Sequence, residues 1–315
     1  MFYYIIKRIL QIIPVIIGIT ILLFVLMYVI PEDPAQLILE KGATPQALQN
    51  LREKMGTDKP VYVQYWRYVK QLSKGDLGTS YRYRRPVNTI LAEHYPNSIK
   101  LAVVAIIIET IIGLFAGIIS AVRKYSFLDV LVTISTTILV CIPVYWLGML
   151  LQIGFGLKLG WLPMSGMGDG SIRFYILPAI TLASVSTAFV ARITRSTMLD
   201  VMSNDYIRTA YAKGLSNNSV IYKHGLKNAL IPVVTYIGID LGTLMGGAIL
   251  TETIFAWPGV GRTIYLAILQ RDAPVVIGGT IVLVLIFVFM NLFVDIIYAI
   301  LDPRIRLEGG GNINV

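Results

Sequence analysis

The chain has 315 residues, 56% of them hydrophobic and only 14% charged, with a mean hydropathy of +0.70. These proportions exclude a soluble globular chain, because several apolar runs reach the ~20 residues that a helix needs to cross a bilayer. A formal charge of +9 would point to nucleic acid in a soluble protein, but in a membrane protein extra Lys and Arg in cytoplasmic loops account for it. No nucleic-acid partner is expected, and membrane lipid is. One cysteine, Cys141, and two distant histidines, His94 and His224, leave no disulfide framework and no zinc cluster.

The chain opens with Lys7 and Arg8 ahead of an apolar run from about Ile9 to Ile30. That run is too long for a signal peptide and lacks a small-residue cleavage site, so residues 1–30 read as an N-terminal segment and first span, distorted near Pro14. Residues 31–96 read as an extracytoplasmic helical excursion. Within it, TPQALQNLREKM predicts a helix with Thr44 as N-cap and Pro45 at the first helical position. VYVQYWRYVKQLSKG predicts a second helix with Val61, Tyr65, Tyr68 and Leu72 along one stripe, and DLGTSYRYRRPV predicts a Gly-punctuated basic turn. The aromatic and basic mixture over 62–85 reads as an amphipathic cap at the membrane interface rather than a nucleic-acid surface.

Five further spans are predicted at about 98–122, 130–156, 175–198, 229–251 and 275–301, giving an all-α polytopic membrane protein with six transmembrane helices. With the N-terminus inside, the inner segments hold Lys7, Arg8, Arg123, Lys124, Arg192, Arg195, Arg208, Lys213, Lys223, Lys227, Arg304 and Arg306. The short outer loops hold only Lys158, Arg173, Arg262 and Arg271, so both termini and the 307–315 tail are expected in the cytoplasm. Gly113 and Gly117 are spaced for packing within the chain, and Gly238, Gly242 and Gly246 for contact with a partner subunit. Glu109, Asp240 and Asp295 lie within spans, where an ionisable group is costly and usually faces a cavity or a partner. Glu109 and Asp240 are expected to line a substrate path or to pair with Arg192.

The one long polar stretch between apolar runs in the C-terminal half is DYIRTAYAKGLSNNSVIYKHGLKNALIP, 205–232. Asn204 or Asp205 suits an N-cap, and Gly214 suits a left-handed helix end. Ile207, Ala210 and Tyr211 share one face at i, i+3, i+4. Ser216, Asn217 and Asn218 then turn and cap a second helical piece carrying Lys223, His224 and Lys227. Such a segment cannot sit in hydrocarbon, and it reads as a docking surface in water. No GxxxxGK[ST] occurs, GVGR at 259–262 follows no strand, and GxSxG, HExxH and CxxC are absent. The chain is therefore expected to have no catalytic residues, no metal and no nucleotide of its own.

The 208–227 spacing resembles the cytoplasmic signature of permeases of bacterial ATP-binding-cassette importers, EAA, three residues, Gly, nine residues, I-x-L-P. Arg208, Thr209 and Ala210 occupy the EAA positions, Gly214 the glycine, and His224 to Lys227 the last four, with Ala210, Gly214 and Leu226 matching in type. TDKPVYVQYWRYV, GDLGTSYRYRRPV, DYIRTAYAKGL, HGLKNALIP, ETIFAWPGVGR, RDAPVV and DIIYAILDPRIR are similar to the first permease of the oligopeptide/dipeptide/nickel group. The resemblance implies a type I importer permease with a five-helix core over 97–306 and a cytoplasmic coupling loop over 196–228. It also implies a second homologous permease, two ATPase subunits that bind ATP and Mg, and an extracytoplasmic solute-binding protein. The cargo implied is a di- or oligopeptide, with nickel or a metal chelate as alternative, and an ion-coupled secondary transporter as a rival of another class. Asp205, Tyr206, Arg208, Thr209, Ala210, Lys213, Gly214 and Leu215 would engage the ATPase. Glu109, Asp240, Trp257, Pro258 and Gly259 are the expected pathway or gate residues.

Overall fold

The computed structural model describes residues 2–26, 44–55, 58–245 and 249–301. In chain order its helices are α1 Phe2–Phe24, α2 Pro45–Met55, α3 Val61–Leu72, α4 Val87–Val122, α5 Phe127–Cys141, α6 Val144–Leu151, α7 Ile172–Met202, α8 Asp205–Ala212, α9 Lys227–Met245, α10 Ile249–Ile254, α11 Val260–Leu269 and α12 Ala273–Leu301. Among the described residues the only β pairing is the isolated bridge of Thr79 with Pro86. Two compact units emerge, residues 1–96 with 259–288, and residues 97–258 with 289–315. The expectations for Gly246, Arg304, Arg306 and the side chains of Lys7, Arg8 and Asp295 lie outside what is described, as do residues 31–43 and the 307–315 tail.

In the first unit, α1 runs through Pro14 without ending. The expected start of α2 is present, with Ala47 N–H donating to Thr44 Oγ1 at 3.3 Å. The stripe on α3 holds for Tyr65, Tyr68 and Leu72 but not for Val61, which is exposed. The Tyr65 and Tyr68 rings lie 5.4 and 6.0 Å from Phe24, and the Tyr65 hydroxyl is 3.1 Å from Thr20 Oγ1. Leu23, Ile277 and Ile281 close the cluster with Ile19, Tyr68, Leu72 and Leu285. Burial of this apolar and aromatic area therefore seats α3 on α1 and α12.

In the second unit, α4 and α7 approach closely because glycine removes the Cβ. A Cβ on Gly113 would come within 2.6 Å of Val190, and one on Gly117 within 2.5 Å of Thr194, so this pair serves packing within the chain as expected. The second glycine pair does not match its expectation. A Cβ on Gly238 would meet Val294 at 2.7 Å and one on Gly242 would meet Asn291 at 3.1 Å, so α12 of the same chain fills that groove. Small-residue spacing marks close approach without naming the neighbour.

Two span expectations are also corrected. The helix expected from about 98 starts at Val87 and passes through Pro96, since a proline removes one N–H and neighbouring groups in a packed helix tolerate the loss. The single span expected over 130–156 is two helical pieces bent by 106°. Ile142 precedes Pro143 and takes extended backbone, ψ 124°, as the pre-proline position favours, so α5 stops and α6 restarts at Pro143. Among the described residues, three helices are long and apolar enough to cross a bilayer, α4, α7 and α12, and the bent pair would make a fourth.

Candidate functional site

The polar loop between α7 and α9 is built around α8. Asn204 takes the N-cap backbone position, ψ 150°, but its side chain donates to the Asp200 carbonyl at 3.3 Å instead of capping. The helix ends as its sequence predicts. Gly214 has φ +76°, its N–H donates to Tyr211 O at 2.9 Å, and Leu215 N–H donates to Ala210 O at 3.4 Å. Those two bonds form a Schellman end, which needs a left-handed residue at the glycine. Nothing lies within 4 Å of where a Gly214 Cβ would sit, so only backbone conformation constrains the position.

Ile207 and Ala210 are buried against Val220 and Met202. Tyr211 is not on that face. It is exposed, and its hydroxyl donates to Asn217 Oδ1 at 2.7 Å. A phenol at the edge of an eight-residue helix reaches a turn acceptor more readily than a dry core. The second helical piece is not separate either. Asn217–Ser219, capped by Ser216, runs through a wide turn at Val220–Leu226 straight into α9. Ile221 and Ala229 on this run pack with Ala121 of α4 and Met198 of α7.

Elsewhere in the second unit, buried acids take two forms. Asp129 is saturated. Arg195 Nε and Nη2 donate to its two oxygens at 2.7 and 2.9 Å, Tyr125 N–H donates at 2.9 Å, and the Ser120 hydroxyl donates as well. Glu109 is fully buried and faces Asp240, with Ser186 and Tyr236 alongside. Neither Glu109 oxygen nor Asp240 Oδ2 finds a hydrogen-bond partner in good geometry among the described residues. The expected partner Arg192 is turned away, donating to Thr137 Oγ1 at 2.9 Å. On a helix carrying both Arg192 and Arg195, spacing alone does not say which one meets an acid.

The WPG segment is anchored rather than loose. Trp257 is fully buried, its ring 4.7 Å from Tyr175, and its indole N–H donates to the Asn97 carbonyl at 3.1 Å. Asn97 Nδ2 donates to Pro258 O at 2.9 Å, and Ser98 Oγ donates to the buried Glu252 at 2.6 Å. Gly259 takes the N-cap position of α11.

In the first unit, the basic turn 77–86 folds around Asp272, the residue immediately before α12. Asp272 is 1% exposed, and its carboxylate accepts from Ser80 Oγ at 2.5 Å, Tyr81 N–H at 3.1 Å and Arg82 N–H at 3.3 Å. Sequence reading gave Asp272 no role. The only available signal was the phrase RDAPVV, an acid placed just ahead of an apolar run.

Residues 113–307 match the family described as binding-protein-dependent transport system inner membrane component, and residues 1–102 match the N-terminal region of such components. A dipeptide transport system permease protein, DppB, of Alkalihalophilus pseudofirmus is 45% identical over 97% of this chain and 100% of its own length. A glutathione transport system permease protein, GsiC, of Escherichia coli strain K12 is 40% identical over 98% of this chain and 100% of its own. The chain belongs to this family of importer permeases. It is of the oligopeptide/dipeptide type, as the resemblance implied. Among solved structures, the MetNI methionine ABC transporter in inward-facing conformations has a chain with TM-score 0.56 and 19% identity, covering 68% of the permease and 96% of that chain. A chain of an amino acid ABC transporter gives 0.51 and 15%, covering 69% and 94%. At that identity these two speak for the fold alone.

The permease keeps seven of the eight expected coupling residues on accessible surface: Asp205, Tyr206, Arg208, Thr209, Lys213, Gly214 and Leu215. Ala210 is the exception, because it packs inward on Val220. Tyr211 and Ala212 are exposed beside them. Tyr206 is tied back to the next helix, accepting from Asn228 Nδ2 at 3.0 Å. Of the expected pathway residues, Glu109 and Asp240 come together, while Trp257 is packed among Leu101, Ala179, Ala183 and Leu244.

Proposed function

We propose that this permease forms half of the translocation pathway of an ATP-driven importer of di- or oligopeptides. Its α8 is the coupling helix that an ATPase subunit grips. The carrying observation is the build of α8: two apolar residues hold it to its own chain, and the charged edge from Asp205 to Lys213 is left free and closed by a left-handed glycine. A short helix ended so sharply is a stiff tooth, suited to turning closure of an ATPase dimer into movement of the membrane helices. The similarity to permeases named for dipeptide and glutathione transport favours a peptide cargo.

In this reading a second homologous permease supplies the other half of the path, and two ATPase subunits bind ATP and Mg. A solute-binding protein delivers cargo on the outer side of a bacterial inner membrane. Both termini and the 196–228 loop lie in the cytoplasm, and 31–96 forms an outer excursion. No nucleic acid takes part. Glu109, buried, and Asp240, half-buried, face each other beside the path. Trp257 and Pro258 brace its outer end, with Gly259 at the start of the next helix.

The test is transport by the assembled complex in proteoliposomes. Uptake of labelled dipeptides should require ATP and the ATPase subunits. Gly214→Val should leave assembly and ATP hydrolysis intact and abolish most uptake, because valine in left-handed backbone is strained by about 1–2 kcal/mol. Wild-type uptake by that variant at normal expression would misplace the coupling role. Uptake of nickel chelate alone would replace the peptide reading. Uptake without any ATPase would replace the importer reading with an ion-coupled one.

A further inference from the structure

Three arginines crowd into one exposed turn of the first unit: Arg82, Arg84 and Arg85. Arg85 pairs with Glu93, whereas Arg82 and Arg84 meet no acidic side chain among the described residues. Like charges this near repel, and a free chain would spread them apart. Here the backbone forbids it. Ser80 N–H donates to Arg85 O at 3.0 Å, Arg84 N–H to Ser80 O at 3.0 Å, and Val87 N–H to Gly78 O at 2.9 Å. The Ser80 hydroxyl, which donates to Asp272, also accepts from Tyr83 N–H at 2.9 Å. Arg84 itself sits at φ +52°, a conformation a non-glycine residue holds only where its surroundings impose it.

Asp272 is the centre of this clamp and also the residue on which α12 begins, since its carbonyl accepts Val276 N–H at 3.1 Å. A side chain that caps its own helix would turn toward the first N–H groups. This one turns to the arginine turn instead. One buried residue therefore joins an exposed cationic turn to the first turn of a membrane-spanning helix.

We propose that the turn 79–85 is the docking surface for an acidic face of the solute-binding protein. In the same proposal, Asp272 is the positioning residue that holds the arginines in register and passes a displacement of the turn to α12. The proposal rests on the reading of this chain as a permease whose outer excursion meets the binding protein. Anionic lipid headgroups also attract arginine, but they rearrange around any set of cations. A fixed array held by hydrogen bonds to Ser80, Asp272 and the turn backbone serves a partner of fixed shape.

The experiment uses the complete transporter, both permeases and both ATPases, in parallel nanodiscs of neutral and of anionic lipid, titrated with purified solute-binding protein. Arg82→Glu with Arg84→Glu should weaken docking roughly tenfold at low salt and flatten its salt dependence, with basal ATP hydrolysis unchanged. Arg82→Lys with Arg84→Lys should keep most of the docking. Asp272→Asn should weaken docking less than the double reversal does and, at saturating binding protein, still lower the maximal stimulation of ATP hydrolysis. Wild-type docking by the double reversal overturns the surface, and full stimulation of Asp272→Asn overturns the positioning role. Weakening seen only in discs that contain anionic lipid assigns the arginines to the membrane and overturns the proposal. A wild-type transporter that no binding protein stimulates removes the reading of the chain itself, a separate and distinguishable failure.

Discussion

The loop around α8 and the turn 77–86 both carry cations to the surface, but they are attached to the protein by opposite means. The α8 helix is seated by Ile207 and Ala210 on Val220 and Met202, and its one ion pair, Arg208 with Asp205 at 3.4 Å, is solvent-exposed. Such a pair contributes little to stability. The turn rests Leu77 against Gly278 of α12, and its arginine end is held by a buried carboxylate that accepts three hydrogen bonds. Apolar contact is non-directional, so the seat of α8 binds it to the helices beneath as one body that passes on a push from any side. Charge-assisted hydrogen bonds fix direction and distance, so the turn presents its arginines at one setting. A part that moves with a partner and a part that presents a fixed face call for these two attachments respectively.

The comparison breaks most decisively at Asp272. Asp272→Ala leaves the Ser80 hydroxyl and two N–H groups without their acceptor, and the expected loss is about 2–4 kcal/mol of local stability. The check is a lower thermal midpoint of the purified permease together with new proteolytic cleavage after Arg82, Arg84 or Arg85. A variant as resistant as wild type would mean that the turn holds itself. Ser80→Ala is the milder probe. It removes the hydroxyl that accepts from Tyr83 N–H and donates to Asp272, for an expected loss of about 1 kcal/mol, read by amide hydrogen exchange at Tyr83.

The sequence showed the helical class and the helix ends that rest on local chemistry. Thr44 with Pro45, and Gly214, act through bonds within a few residues, and both are found where local rules put them. It showed less wherever the answer lies across the chain. The glycine stripe of α9 announced a close neighbour, but only the fold shows that Val294 and Asn291 of α12 take that place. Pro143 breaks its span although Pro14, Pro96, Pro178 and Pro232 do not break theirs, and no rule applied to one segment separates these cases. Asp129 and Glu109 look alike in sequence, two acids near or within spans. Their fates diverge because Arg195 reaches one and nothing cationic among the described residues reaches the other. At the candidate site, i, i+3, i+4 spacing found Ile207 and Ala210 but also took in Tyr211. Asp272, whose partners lie some 190 residues away, left no periodic trace at all.

Tyr211 supplies the smallest and sharpest contrast. Its hydroxyl donates to Asn217 at 2.7 Å, a shorter bond than the 2.9 Å one between Tyr83 N–H and Ser80, so a ranking by distance would call it the stronger anchor. Exposure reverses that ranking. Water replaces the lost partner on both sides of an exposed bond, and Tyr211→Phe should change stability by no more than about 0.5 kcal/mol. The thermal midpoint of the purified permease reads this directly, beside Ser80→Ala in the same detergent. If Tyr211→Phe destabilises as much as Ser80→Ala, then α8 too is pinned by directed hydrogen bonds. The contrast between the two attachments would then be one of exposure alone.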